Sequence, residues 1–88
     1  MTDLKNTPNL GPANVKYLHG IGVYSLEELR EMGSRRAWLN VRENVPGLHC
    51  NFLYAFEGAI RGICWFRLPP ELKAELRAFY LDVRHMEE

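Results

Sequence analysis

The sequence predicts an all-α, compact five-helix domain of the helix–hairpin–helix kind. Three observations carry this. Apolar residues recur at spacings of three and four through successive segments. Proline, glycine and serine stand where such helices have to start and stop. No segment shows the period-two alternation of a half-buried strand. At 88 residues the chain fits one domain, large enough for a modest core without staples. Residues 1–88 are expected to form that domain, with an ordered core over about residues 4–83.

Each element has its own warrant. Pro12 after Gly11 opens the first helix, where the missing N–H costs nothing, and Val15, Leu18 and Ile21 form its stripe. Gly20 and Gly22 close it in a tight connection. Ser25 with Glu28 three residues on is a capping box for a second helix, with Leu26, Leu29 and Met32 on one face. Gly33 ends that helix and Ser34 is placed to cap a third, whose inward face is Trp38, Val41 and Val45. Pro46-Gly47 marks a turn.

From Asn51 to Gly62 the chain is apolar almost all round, through Phe52, Leu53, Tyr54, Ala55, Phe56, Ala59 and Ile60. Such a helix belongs at the centre of the fold. Gly58 and Gly62, four apart, weaken it but would let another helix approach closely. Glu57 and Arg61 stand at i,i+4 in the favoured order. Leu68-Pro69-Pro70 opens the last helix, striped by Leu72, Leu76, Phe79, Tyr80 and Val83. The tail from Arg84 to Glu88 is expected to fray.

A faint internal repeat supports this layout. A shift of 42 residues sets Leu10 on Phe52, Ala13 on Ala55, Leu18 on Ile60 and Gly20-Ile21 on Gly62-Ile63. On that reading two helix–hairpin–helix units are joined by the third helix. The first hairpin, Leu18-His-Gly-Ile-Gly-Val23, is the most informative stretch. Its glycines permit positive φ, and Ile21 is expected to plug the core. Outward N–H groups at such a turn can hold a backbone phosphate. The same glycines can simply turn a corner between packed helices. Val23 and Tyr24 follow Gly22 where a phosphate site favours Lys, Arg or Thr, so packing is the stronger reading.

Charge and composition narrow the function. Eleven basic residues balance eleven acidic ones, which excludes a protein that binds nucleic acid by massed charge. The longest uncharged run, Asn44 to Phe56, contains Pro46, Gly47 and His49, so no membrane contact is expected. Asp3, Lys5, Pro8 and Pro12 interrupt any apolar leader, and a cytoplasmic location is expected. Cys50 and Cys64, even with His19, His49 or His85, match no ligand spacing, so they read as buried reduced thiols without a metal. Gly20-Ile-Gly22 lacks the third glycine and the strand of a nucleotide loop. Glu57 and Arg61 read as an ion pair orienting helices, and Cys50 has no evident base. No cofactor and no enzymatic activity are expected.

Aromatics Trp38, Trp65 and Tyr54 read as core or near-core residues. An exposed Trp65-Phe66 pair would instead mark a partner surface. Candidate contacts around the hairpin are Lys16, Gly20, Ile21, Gly22, Arg35 and Arg36, opposed by Glu27, Glu28 and Glu31 on the second helix.

Two blocks of the chain resemble a known family. Asn9-Leu-Gly-Pro12, Ile21-Gly-Val, Ser25-Leu-Glu-Glu-Leu-Arg30 and Gly33 form the first. Asn51-Phe-Leu-Tyr-Ala-Phe-Glu-Gly-Ala-Ile-Arg-Gly62, Trp65, Leu68-Pro69-Pro70 and Lys73-Ala-Glu-Leu76 form the second. Over about residues 4–78 the chain is similar to the C-terminal domain of the TfoX/Sxy competence regulators, and it is expected to be a stand-alone version of it. That resemblance implies a small bacterial helical domain linked to the regulation of DNA uptake and transcription, with no catalytic residues to carry over. The expected role is a non-enzymatic regulatory interaction module, contacting a protein of the transcription machinery or nucleic acid. The alternative is a dedicated DNA-binding domain using the Gly20–Gly22 turn.

Overall fold

Four of the five helices begin at a proline or behind a capping side chain. In the computed structural model, which describes residues 3–7 and 9–86, five helices carry the fold. They are α1 (Pro12–Gly20), α2 (Leu26–Met32), α3 (Ser34–Asn44), α4 (Cys50–Arg61) and α5 (Pro70–Met86). Two 3-10 turns, Leu4–Asn6 and Trp65–Arg67, were not expected from the sequence. Among the described residues there is no strand, only an isolated antiparallel bridge between Asp3 and Ser25. The fraying expected from Arg84 is not found as far as Met86, because α5 continues that far. Pro8, Glu87 and Glu88 lie outside the described residues.

The expected box opens α2. Ser25 Oγ accepts the Glu28 N–H at 3.2 Å, and Glu28 Oε1 accepts the Tyr24 N–H at 3.1 Å. At α3 the expectation fails. Ser34 is the first helical residue, not the cap, and its buried hydroxyl donates to Glu57 Oε1 at 2.5 Å. A buried carboxylate needs that donor more than the exposed start of a helix does. His49 caps α4 through Nδ1, which accepts the Asn51 N–H at 3.1 Å.

Helix α4 is the centre, packed by α2, α3, α5 and the Trp65–Arg67 turn, while α1 rests chiefly on α3. Leu53, Phe56 and Ala59 are fully buried on it, against a core that includes Leu18, Leu29, Trp38, Val41 and Leu76. Val45, Met32, Leu72, Phe79 and Tyr80 reach the core only from its rim. Ile21 is also half-buried, and the residue that plugs the core beneath the hairpin is Val23, 1% exposed.

The first and fourth helices end alike, though not in the register of the sequence repeat. Val23 N–H donates to Leu18 O and Gly22 N–H to His19 O, at 2.9 and 3.1 Å. Ile63 N–H donates to Gly58 O and Gly62 N–H to Ala59 O, at 3.0 and 3.2 Å. Both helices therefore end in the same six-to-one, five-to-two closure around a left-handed glycine. Gly22 matches Gly62, an offset of 40 rather than 42. After that the units diverge, since the second inserts the Trp65–Arg67 turn before its next helix.

Gly58 also departs from expectation. A Cβ there would lie 2.9 Å from Asn9 Nδ2, 2.9 Å from Ile63 O and 3.2 Å from Trp65 Cα. What approaches it is the chain's own N-terminal segment and returning loop, not a second helix. Gly62 has open space at its Cβ and is needed for its φ of 71°.

The expected ion pair forms, with Arg61 Nε donating to Glu57 Oε2 at 2.7 Å. Burial raises the Glu57 pKa, but the Ser34 and Arg61 hydrogen bonds, with the Arg61 and Arg35 charges, outweigh it and hold the carboxyl below 4.5. A depressed native value stabilises the fold above the unfolded value and is lost as pH falls through the native one. Glu57→Gln should therefore cost about 1–2 kcal/mol at neutral pH. Urea midpoints of the two proteins should converge as pH falls through the lowered native pKa of Glu57. A gap independent of pH would contradict this account.

Candidate partner interface

The Gly20–Gly22 turn was the leading candidate for a phosphate site, so its N–H groups matter first. Ile21 and Val23 donate to Leu18 O, Gly22 to His19 O, and Tyr24 to Glu28 Oε1. Four successive N–H groups are thus committed within the chain. The Glu28 carboxylate already occupies the position where an external anion would meet the turn, and Ser25 Oγ also contacts it at 3.1 Å. A phosphate there would have to displace a fixed negative charge.

The candidate cations do not converge. Lys16 is exposed on α1 and lines a cleft of about 450 Å³ with Lys5, Leu10 and His19. Arg36 shares a different cleft with Gly22, but Glu28 and Glu31 line the same walls. Arg35 turns toward α5, its Nη2 3.9 Å from Glu75 Oε2. Both partners are solvated, so the pair adds little. Gly20, last in α1, is exposed. Of the six candidates, Gly22 and Arg36 share one cleft.

A different surface stands out on the Trp65–Arg67 turn. Trp65 is 40% exposed and Phe66 59%, two adjacent large aromatics on one ledge. Tyr54 from α4 lies parallel to the Trp65 ring, centroids 6.2 Å apart, and Phe66 stands at 82° to it. Lys73 Nζ sits 6.0 Å from the Trp65 centroid and donates to Phe66 O at 3.0 Å. Burial, then the neighbouring Cys50, raises the Tyr54 pKa, partly offset by Arg77, which hydrogen-bonds the phenol. The ledge therefore offers Phe66 as an open ring, the Trp65 edge and two nearby cations.

Asn9 fixes this ledge. Its Nδ2–H donates to Ile63 O at 2.6 Å and its Oδ1 accepts the Trp65 N–H at 2.9 Å. The side-chain amide thus pairs with the loop as an extended strand would. Asn9 adopts φ 75°, which asparagine tolerates better than most residues. Sequence reasoning passed over Asn9 as a site residue. Its signal was an asparagine two residues before a Gly-Pro helix start, a residue type that tolerates left-handed backbone in turns.

The thiols separate. Both are free, Cys50 buried and Cys64 exposed, which corrects the expectation that both are buried. Cys64 lies in the loop after α4 rather than on a packed face. Among the described residues no three His, Cys, Asp or Glu groups gather as a metal site would need. No described helix is long and apolar enough to cross a membrane.

Comparison with known proteins follows from this geometry. Two crystal structures from Listeria monocytogenes share the fold. One, of an uncharacterized protein in a triclinic form, is 34% identical with a TM-score of 0.92, covering 94% of each chain. The other, a protein of unknown function in a tetragonal form, is 34% identical with a TM-score of 0.89, covering 92% of this chain and 99% of that one. No curated protein matches. The pattern of the TfoX C-terminal domain matches residues 1–80, and the chain belongs to that family.

Proposed function

We propose that this domain is a non-enzymatic regulatory interaction module that binds a protein partner through the Trp65–Phe66 ledge. Its setting is the bacterial cytoplasm, in the control of transcription or competence that the family resemblance implies. One observation carries the reading: two adjacent large aromatics, 40% and 59% exposed, stand on a loop whose backbone the Asn9 amide holds at Ile63 and Trp65. Folded monomers rarely fix paired aromatics outward, and such residues anchor protein interfaces. The hairpin alternative is weaker because Glu28 fills the place of a bound phosphate.

The test is capture from native lysate, with and without nuclease, on immobilised wild type and on Trp65→Ser/Phe66→Ser. A partner that survives nuclease and loses at least about tenfold in affinity with the double variant supports the ledge. Lys16→Glu should retain it. Submicromolar binding of short duplex DNA at physiological salt, abolished by Lys16→Glu, would overturn the reading in favour of the hairpin.

A further inference from the structure

We infer that the cleft between the end of α3, the turn before α4 and the second half of α5 binds a small molecule carrying an oxyanion on a planar ring. Trp38, Arg42, His49, Tyr80 and Arg84 line it. Two guanidiniums and an imidazole meet there, and no carboxylate is among the lining residues. In a chain with equal numbers of acids and bases, two cations and a further N–H donor share walls that carry no carboxylate. The position is independent of the ledge: Lys73 and Arg84 lie roughly 16 Å apart along α5 at 1.5 Å per residue.

The donors are oriented by contacts of their own. His49 Nδ1 accepts the Asn51 N–H at 3.1 Å, so the neutral ring carries its proton on Nε2 and donates from there. Arg84 Nη1 donates to the Tyr80 hydroxyl at 3.4 Å, which keeps the guanidinium at the rim. Arg42 has an interaction within the chain. Its five N–H donors nonetheless allow a ligand to share the group.

The walls select a flat group. Tyr80 meets Trp38 edge-on, with centroids 5.7 Å apart, and lies tilted against His49 at 6.4 Å. Trp38 Nε1–H donates to His49 O at 3.2 Å, tying the floor to the turn. Gly47 adds a wall without a side chain. The cleft holds about 280 Å³. Ligand sites usually begin near 300 Å³, so the occupant is small. A phosphate or carboxylate can take both guanidiniums while its ring lies against Tyr80.

The experiment uses the intact chain and nuclear magnetic resonance, with the Trp38 indole N–H and the Gly47 amide as reporters. Phenyl phosphate, benzoate and adenosine 5′-monophosphate are the ring-bearing anions; inorganic phosphate and adenosine are the controls. At least one ring-bearing anion should shift both reporters saturably, with a Kd below about 1 mM. Inorganic phosphate should bind at least tenfold more weakly and adenosine should leave the reporters unmoved. Which probes bind separates a nucleotide from a simpler aromatic phosphate or carboxylate. Arg84→Gln and, separately, Arg42→Gln should weaken binding at least fivefold with unchanged circular dichroism. No saturable shift from any ring-bearing anion at 10 mM or so would overturn the assignment. So would inorganic phosphate binding equally well, or full binding by a folded Arg84→Gln. None of these outcomes bears on the Trp65–Phe66 ledge.

Discussion

Gly58→Leu is expected to lose at least about 3 kcal/mol of stability or to prevent folding. Even the first added atom has no room, since a Cβ would come within 2.9 Å of Asn9 Nδ2 and of Ile63 O. Ile63 O accepts both from Asn9 and lies on the backbone, so it cannot swing aside as a flexible side chain would. Gly58→Ala is the sharper probe because two effects oppose. Alanine gains about 1 kcal/mol of helix propensity over glycine. The clash should exceed that and leave a net loss of about 1–2 kcal/mol. Gly62→Ala is the control: its Cβ meets nothing, and only its left-handed φ is penalised, by about 1 kcal/mol. Urea denaturation at constant m-value measures all three. A Gly58→Ala midpoint at or above wild type would refute the tight approach.

The contrast between these glycines shows what the sequence can and cannot reveal. Helix positions were legible because periodicity, the Ser25–Glu28 box and Pro12 are local signals, and local signals decide short helices. The central burial of α4 was legible too, from its nearly continuous apolar surface. The neighbour of Gly58 was not. Residues 9 and 63 are 54 apart in sequence, and nothing local announces their contact. Ser34 misled for the same reason: its hydroxyl looked like a cap until Glu57, 23 residues on, claimed it.

The candidate site follows the same division. The hairpin drew the eye because two glycines around Ile21 have a known use. Whether its N–H groups are available depends on Glu28 reaching back to Tyr24, a contact that the capping box itself supplies. A sequence that reads as a strong helix start is, for that reason, a poor anion seat. Trp65 reads as core because aromatics in helical chains usually are, with an exposed Trp65-Phe66 pair as the alternative. They are exposed because the second unit inserts a 3-10 turn that the first unit lacks, and that turn lifts them off the bundle. A fixed shift of 42, which sets Gly20-Ile21 on Gly62-Ile63, treats the two connections as equal and so hid the insertion.

Asn9→Ala should cost about 3 kcal/mol, the second large effect in this domain. It removes the donor to Ile63 O and the acceptor for the Trp65 N–H, and it leaves alanine at φ 75°. Asn9→Gly removes the same two hydrogen bonds but keeps the backbone relaxed, so its cost should fall to about 2 kcal/mol. The order Ala worse than Gly separates backbone strain from lost hydrogen bonds. Both variants should also free the Trp65–Phe66 ledge, read as faster amide exchange at Trp65 and weaker partner capture. The decisive measurement is the cycle with Gly58→Ala. Once Asn9 is glycine, one of the two atoms nearest the added Cβ is gone, so the double variant should be more stable than the sum of the single losses by 0.5 kcal/mol or more. Strict additivity would mean that Gly58 and Asn9 act independently, and that the amide does not seat the loop over α4.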